Sequence, residues 1–478
     1  MIVWFTLALL LPAATGFVLC SAFWRRSQGL MDWLTRLFIS LGVGAGLSSC
    51  MFYFELLAGS RTRTDFLLLD SLLLGVAGAV SLIGHRLRSA DKTRESQAES
   101  PPASGIAYLL ALPAVVATSI AVLYSIRYAV GHPHGTWDSW AIWTLRARFL
   151  FRSGAQWRHA FSSVLAYSHP DYPLLLPASI DRLWTYLQQE ALLVPTMLGF
   201  FFMLCTVGLA MSSVATLRSK SQALLVGAVL VTTPFFVKHA VSGYAESPLM
   251  FFFLATTVLL IMSESTPQML VLAGLTAGLA AWTKNEGLLF LVSAGTSLTA
   301  VVFFARGRAA CIRTVSLFVA GAFPVLAVII LFKSHVHVGN WLFEPDPGGG
   351  TVLGRMAAVG RYSTISSYYL GEISGFGEWR ISMVPVLGMY YLLLGRLRGV
   401  KQKPGLLTAI GTLAGAFVGY FFVFVITPSD LEWQLANSLN RIFLQLWPAA
   451  LVVFFSVTRT PEEALAAPAA RVRRMVPE

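Results

Sequence analysis

The sequence predicts an all-α, polytopic membrane bundle of about 13 transmembrane helices, because repeated apolar runs can satisfy their backbone in lipid only as helices. Three observations carry this. Hydrophobic residues make up 56% and charged residues only 12% of the 478, with a mean hydropathy of +0.68, which excludes a soluble enzyme. Many stretches reach the ~18 apolar residues expected of a spanning helix. Basic residues are also unevenly shared between alternate loops.

Spans are expected at 2–23, 36–58, 66–84, 106–130, 191–217, 221–238, 247–262, 268–283, 287–304, 313–333, 381–395, 404–426 and 442–458. The first lacks a basic start and a clear small-residue cleavage site, and Arg25 and Arg26 follow it. It reads as a retained span rather than a signal peptide. The runs 247–262 and 268–283 are short, so they cross only where the membrane is thin or where they enter a recessed cavity. The stretch "YPLLLPASIDRLWTYLQQE" carries Asp181 and Arg182 at its centre. A centred charged pair costs several kcal/mol in a bilayer, so 173–190 is expected to lie at or dip into the surface rather than to span.

That choice sorts the loops. One side then holds 20 basic and 8 acidic residues, and the other holds 15 of each. The basic side is cytoplasmic by the positive-inside pattern, which places the N-terminus and Asp138 outside and the basic tail inside. Four units follow: three helices over 1–88, a polar, proline-bearing cytoplasmic linker over 89–105, a membrane domain over 106–458 that includes the outer loop 131–190, and a basic cytoplasmic tail over 459–478. Cys20, Cys50, Cys205 and Cys311 sit singly in or beside apolar runs, with no CxxC. They read as small core residues, not as a zinc site or a disulfide framework.

The outer side carries the chemistry. "GTWDSWAIWTLRARFLF" puts Asp138 between Trp137 and Trp140 at the end of a span. A partly desolvated carboxylate is a stronger base toward a hydroxyl, so Asp138 is the candidate general base. The tryptophans also suit an interfacial aromatic belt. In "SHPDYPLLLP", His169 and Asp171 fit action on a substrate or a metal, and equally a turn set by the flanking prolines. Glu246 opens a short helix ahead of Pro248, where an acid is a good N-terminal residue. Lys284 interrupts two apolar helices in "WTKNEG", as a snorkelling lysine or an anion ligand. Arg441 lies nine residues beyond Glu432, so the two do not share a helix face and Arg441 seeks another anion. The loop 334–380 adds His335, His337, Arg355 and Arg361. Acids fit for base work and cations able to hold phosphate thus meet at one face. A substrate with a greasy tail and an anionic head suits that layout, its phosphate held by Lys284, Arg441, Arg355 and Arg361.

In "TWDSWAIWTLRARFL", "SHPDYPLLLP", "YAESPLMFF", "WTKNEG" and "TPSDLEWQLANSLNRIFLQLWP", taken in that order, the chain resembles the bacterial branch of the GT-C glycosyltransferases. It is similar to the protein O-mannosyltransferases and the lipid A aminoarabinose transferase. The resemblance covers about residues 106 to 458 and leaves out the first three spans. It implies a GT-C architecture with periplasmic juxtamembrane helices in a long first catalytic loop, and residence in the bacterial cytoplasmic (inner) membrane. It further implies transfer of a hexose or pentose from a polyprenyl-phosphate sugar to a lipid, glycan or protein hydroxyl on the extracytoplasmic side, with inversion. Asp138 then corresponds to the catalytic aspartate, Glu246 to a second acid that positions the acceptor or a cation, Lys284 to the helix-breaking lysine, and Arg441 to the arginine before the last span. Relatives often carry histidine where this chain has Gln434, which removes a proton-transfer role there. Some members need a divalent cation such as Mg2+ or Mn2+, for which Asp138, His169 and Glu246 would supply an oxygen-rich site. No nucleic-acid partner is expected. The competing classes are a secondary transporter or flippase, which would show inverted repeats and midplane charges, and a lipid-linked glycan polymerase or ligase.

Overall fold

A computed structural model of the chain describes residues 2–24, 29–59, 62–89, 105–337, 339–343, 350–380, 382–397 and 399–466. The polar linker, Arg25, Arg26 and the end of the basic tail therefore lie outside the described residues. Seventeen α-helices follow one another: α1 (Ile2–Phe23), α2 (Leu30–Ala58), α3 (Arg63–Ser89), α4 (Gly105–Gly131), α5 (Leu145–Arg152), α6 (Leu175–Leu187), α7 (Val194–Leu217), α8 (Lys220–Thr232), α9 (Pro234–Ala240), α10 (Glu246–Met262), α11 (Met269–Thr283), α12 (Asn285–Val336), α13 (Val352–Ala357), α14 (Val359–Gly375), α15 (Met383–Leu394), α16 (Pro404–Ile426) and α17 (Leu431–Val457). Among the described residues the only β pairing is an isolated bridge between Arg396 and Thr458.

Eight of these helices (α1, α2, α3, α4, α7, α12, α16 and α17) are long and apolar enough to cross a membrane, and α8 with α9 forms a ninth if that pair, bent by 70°, is one span. The chain is a multi-pass helical membrane protein. The expected spans 287–304 and 313–333 are the two arms of α12, parted at Gly307 by non-helical backbone with a positive φ of 78°. Its second arm packs backbone to backbone on α11, where a Cβ on Gly274 would lie 1.9 Å from the Phe318 carbonyl oxygen. Small residues permit such close approach between membrane helices.

The central post is α10, buried from Glu246 through Leu260. At one end of the bundle, Glu264 joins three elements: it pairs with Arg306 at 2.5 Å and accepts from the Gly405 amide at 2.9 Å. Glu246, at the start of α10, and Lys284, after α11, therefore return to the opposite end. With 17 and 15 residues, α10 and α11 are about 25 and 22 Å long at 1.5 Å per residue. Both fall short of the ~30 Å hydrocarbon core.

Residues 173–190 contain α6, which at 13 residues is too short to span, and every residue from Leu175 to Tyr186 is buried against the rest of the bundle. The centred charge is tolerated because Arg182 pairs with Asp70 of α3 and donates to the Ala8 carbonyl of α1 at 2.8 Å. Asp70 also accepts from Tyr186 Oη at 2.8 Å and Ser48 Oγ at 2.7 Å. A buried charge is stable only when paired and hydrogen-bonded in this way. The first three helices are likewise built into the bundle: Trp282 Nε1 donates to Ser49 Oγ of α2 at 3.1 Å, and Tyr53 Oη to the Leu331 carbonyl at 3.4 Å. All four cysteines are buried and free.

Candidate active site

Asp138 ends the turn that follows α4 and leads into one π-helical stretch, Ser139–Thr144. Such stretches re-aim side chains and are frequent at functional sites. Two glycines make the approach possible. Gly135 (φ 69°) and Gly243 (φ 75°) close on Ser139, and a Cβ on either would lie 2.5 or 2.3 Å from Ser139 Oγ. The Thr136 amide then donates to the Ser242 carbonyl at 3.3 Å, which ties the Asp138 loop to the loop before Glu246. The tryptophans that flank Asp138 do not wall it in. Trp137 and Trp140 stack edge to face at 4.5 Å and stay 60% and 42% exposed. The carboxylate turns the other way, toward Arg441.

Arg441 is the hub. Its Nη1 lies 2.7 Å from Asp138 Oδ2, while Nη2 and Nε reach Glu246 Oε1 at 2.6 and 3.0 Å. It stands inside the unbroken α17 rather than at the mouth of a span. Tyr244 supports it from below, with the guanidinium carbon 4.8 Å from the ring centroid, and Tyr244 Oη accepts from the Asp138 amide at 3.4 Å. Lys284 occupies an extended residue between α11 and α12 (φ −160°, ψ 156°). Its Nζ reaches Glu246 Oε1 at 3.1 Å and Glu286 Oε1 at 2.7 Å. Burial works against that ammonium, but Glu246 and Glu286 hold its pKa above the usual lysine range. It is therefore no snorkelling lysine. Three carboxylates (Asp138, Glu246, Glu286) face two cations. Glu246 is fully buried, uses one oxygen for all three of these contacts, and keeps Oε2 without a partner.

A second layer packs against this cluster. His169, in the left-handed region at φ 50°, stacks on Tyr172 at 4.9 Å, and Tyr172 stacks on Trp143 at 5.6 Å. The buried Arg146 shapes the turn by donating to the carbonyls of Ser168 (2.7 Å), His169 (2.6 Å) and Tyr172 (3.1 Å). Asp171 accepts from Asn285 Nδ2 at 2.5 Å, and its carbonyl accepts from Lys333 Nζ. Lys284 Nζ stands 5.4 Å from the Tyr172 ring centroid, which links the two layers. Burial lowers the His169 pKa below its usual value, with Asp171 opposing.

The structure thus joins Asp138, Glu246, Lys284 and Arg441, and sets His169 and Asp171 beside them. Arg361 is spent on the carbonyls of Phe424, Val425 and Thr427 at 2.9–3.0 Å. Arg355 donates to the carbonyls of Gly350 and Leu342 at 3.4 and 3.3 Å. Gln434 accepts from Thr427 Oγ1 at 2.7 Å, and His335 Nδ1 lies 2.7 Å from the Leu331 carbonyl. Among the described residues no three His, Cys, Asp or Glu side chains are grouped to hold a metal ion. Asp138 and Glu246 are bridged by a guanidinium instead. Sequence reasoning missed Glu286, Tyr244 and Arg146. Glu286 alone left a trace, two residues beyond Lys284 in "KNEG". No family model, curated protein or solved structure matches the chain.

Proposed function

We propose that the protein is a membrane glycosyltransferase of GT-C type that moves a sugar from a polyprenyl-phosphate donor to an acceptor hydroxyl on the extracytoplasmic side. The observation that carries this reading is the Arg441 hub. Four chain segments far apart in sequence bring a partly exposed acid, a buried acid and two cations into one cluster. An ion pair that merely stabilised the bundle would have no need of a carboxylate reaching the surface loop.

In this mechanism the donor phosphate competes with Asp138 for Arg441 Nη1 and releases the carboxylate. Asp138 takes the proton of the acceptor hydroxyl as its oxygen forms the new bond to the anomeric carbon. The bond from that carbon to the phosphate oxygen breaks on the opposite face, so the configuration inverts, and polyprenyl phosphate leaves with the electron pair. Arg441 stabilises the charge that develops on the leaving phosphate. Glu246 positions Arg441 and Lys284 and has no proton to move. Purified protein, offered a panel of radiolabelled polyprenyl-phosphate hexoses and pentoses with envelope extract as acceptor, should release polyprenyl phosphate from at least one of them. Release from none, together with transport of the intact lipid-linked sugar across a vesicle membrane, would move the protein to the flippase class.

A further inference from the structure

None of the charges joined at Arg441 comes from the first three helices, yet α1 and α3 help to build a polar pocket of about 400 Å³. Trp4 of α1, Thr62, Arg63 and Thr64 at the start of α3, and Gln188 at the end of α6 line it. Two residues beyond Gln188, Glu190 pairs with Arg148 and Arg152 of α5, so the pocket lies on the side of the Asp138 loop. The buried network that seats α6 also holds the pocket. Trp4 packs on Tyr186 with ring centroids 6.5 Å apart, and Tyr186 Oη donates to Asp70.

The lining divides by charge. The Arg63 guanidinium carbon lies 5.5 Å from the Trp4 ring centroid. Among the described residues its Nε has no hydrogen-bond partner and no carboxylate is paired with it. A guanidinium keeps a planar fork of N–H donors that fits a phosphate. The Thr62 and Thr64 hydroxyls stand beside it, 2.8 Å apart. Acceptors occupy the other part. Gln188 Nε2 donates to the Thr185 carbonyl at 2.8 Å, which leaves Oε1 to accept. Asp65 stands behind Thr62 and accepts from its amide at 2.9 Å and its hydroxyl at 2.6 Å. Beyond the pocket the surface turns apolar. Leu68 and Leu72 continue the Thr64 stripe of α3 at successive turns. They are exposed, as are Val3 and Leu10 of α1, and both helices are apolar enough to span.

We propose that this pocket binds the zwitterionic headgroup of phosphatidylethanolamine, in the leaflet on the side of the Asp138 loop. Arg63 takes the phosphate, Gln188 Oε1 and Asp65 take the ammonium, and an acyl chain lies along Leu68 and Leu72. One cation and one carboxylate match a phosphodiester joined to an ammonium, whereas a purely anionic head would meet Asp65. The apolar stripe favours a lipid over free phosphate. The site stands apart from the Arg441 cluster and does not rest on the glycosyl-transfer reading.

The test titrates full-length protein in neutral detergent with phosphatidylethanolamine, phosphatidylcholine and phosphatidylglycerol of matched chains, and counts bound lipid by native mass spectrometry. A phosphatidylethanolamine with a diazirine in its acyl chain maps the seat. Wild type should hold one phosphatidylethanolamine about tenfold more tightly than either other lipid, the scale of one charge-assisted contact. Choline has no N–H to donate, and glycerol has no positive charge. Crosslinks should fall in α1 and α3, and excess inorganic phosphate should leave the lipid in place. Arg63→Gln should weaken phosphatidylethanolamine binding about tenfold, and Arg63→Lys should restore part of it. Gln188→Gly suits a left-handed residue at φ 57°. It should erase the preference for phosphatidylethanolamine over phosphatidylcholine while phosphatidylcholine binding stays as in wild type. Melting temperatures without added lipid show which variants fold, and Gln188→Gly serves if Arg63→Gln does not. Equal retention of the three lipids, displacement by inorganic phosphate, crosslinks confined to other helices, or unchanged affinity in folded Arg63→Gln would each overturn the proposal.

Discussion

One guanidinium, that of Arg441, touches both Asp138 and Glu246, so its removal leaves the fully buried Glu246 carboxylate with Lys284 as its one remaining cation among the described residues. Breaking a buried pair from one side costs about 3–5 kcal/mol. Arg441→Met should therefore lower the melting temperature sharply, and the double variant with Glu246→Gln should recover part of the loss. Additive losses in that double-mutant cycle would mean the two groups are uncoupled. His169 belongs to the same scale. Its pKa is lowered by burial, so between that lowered value and about 6.5 the unfolded chain binds more protons than the folded one, and stability rises with pH there. The contribution is complete above the unfolded value and is lost as the pH falls below it. His169→Gln should flatten the acid side of a melting-temperature profile taken from pH 7 to 4, and an unchanged slope would remove His169 from that dependence. Asp138 was legible as an acid misplaced among tryptophans. Its partner was not, since sequence spacing says which residues share a helix and nothing about which helices face each other.

Among the elements, the loop pair 135–139 and 242–246 decides whether the site closes. Gly243 is in the left-handed region with Ser139 against it. Gly243→Ala adds a Cβ to a conformation that costs an L residue about 1–2 kcal/mol, and it also forces the two loops apart. A melting-temperature loss accompanied by a greater loss of transfer is expected; a variant with normal stability and activity would show that the close approach is not needed. Helices were legible wherever hydropathy alone sets them, as in α4 or α16. α6 was legible as a short, charge-bearing helix outside the set of spans, but its partners were not: only the fold reveals that Asp70, more than a hundred residues earlier, neutralises Arg182. The same contact gives the N-terminal helices a structural role that the sequence left blank.

Across the molecule, the proposed reaction needs the Arg441 cluster on the extracytoplasmic side. Val164, in the loop that carries His169, is 83% exposed, and the four native cysteines are buried. Val164→Cys in intact cells should therefore react with a membrane-impermeant maleimide, whereas reaction only after permeabilisation would reverse the orientation. Charge bias gave that orientation and hydropathy gave the helical class. The convergence of Asp138, Glu246, Lys284 and Arg441 was not legible, because it depends on which helix ends meet in the fold. The most direct test compares wild type with Asp138→Asn in a purified transfer assay, with donor binding measured alongside. The variant should keep its affinity for the polyprenyl-phosphate sugar and lose transfer by about 10²–10⁴-fold, the usual worth of a general base. Transfer at the wild-type rate by Asp138→Asn would contradict the mechanism.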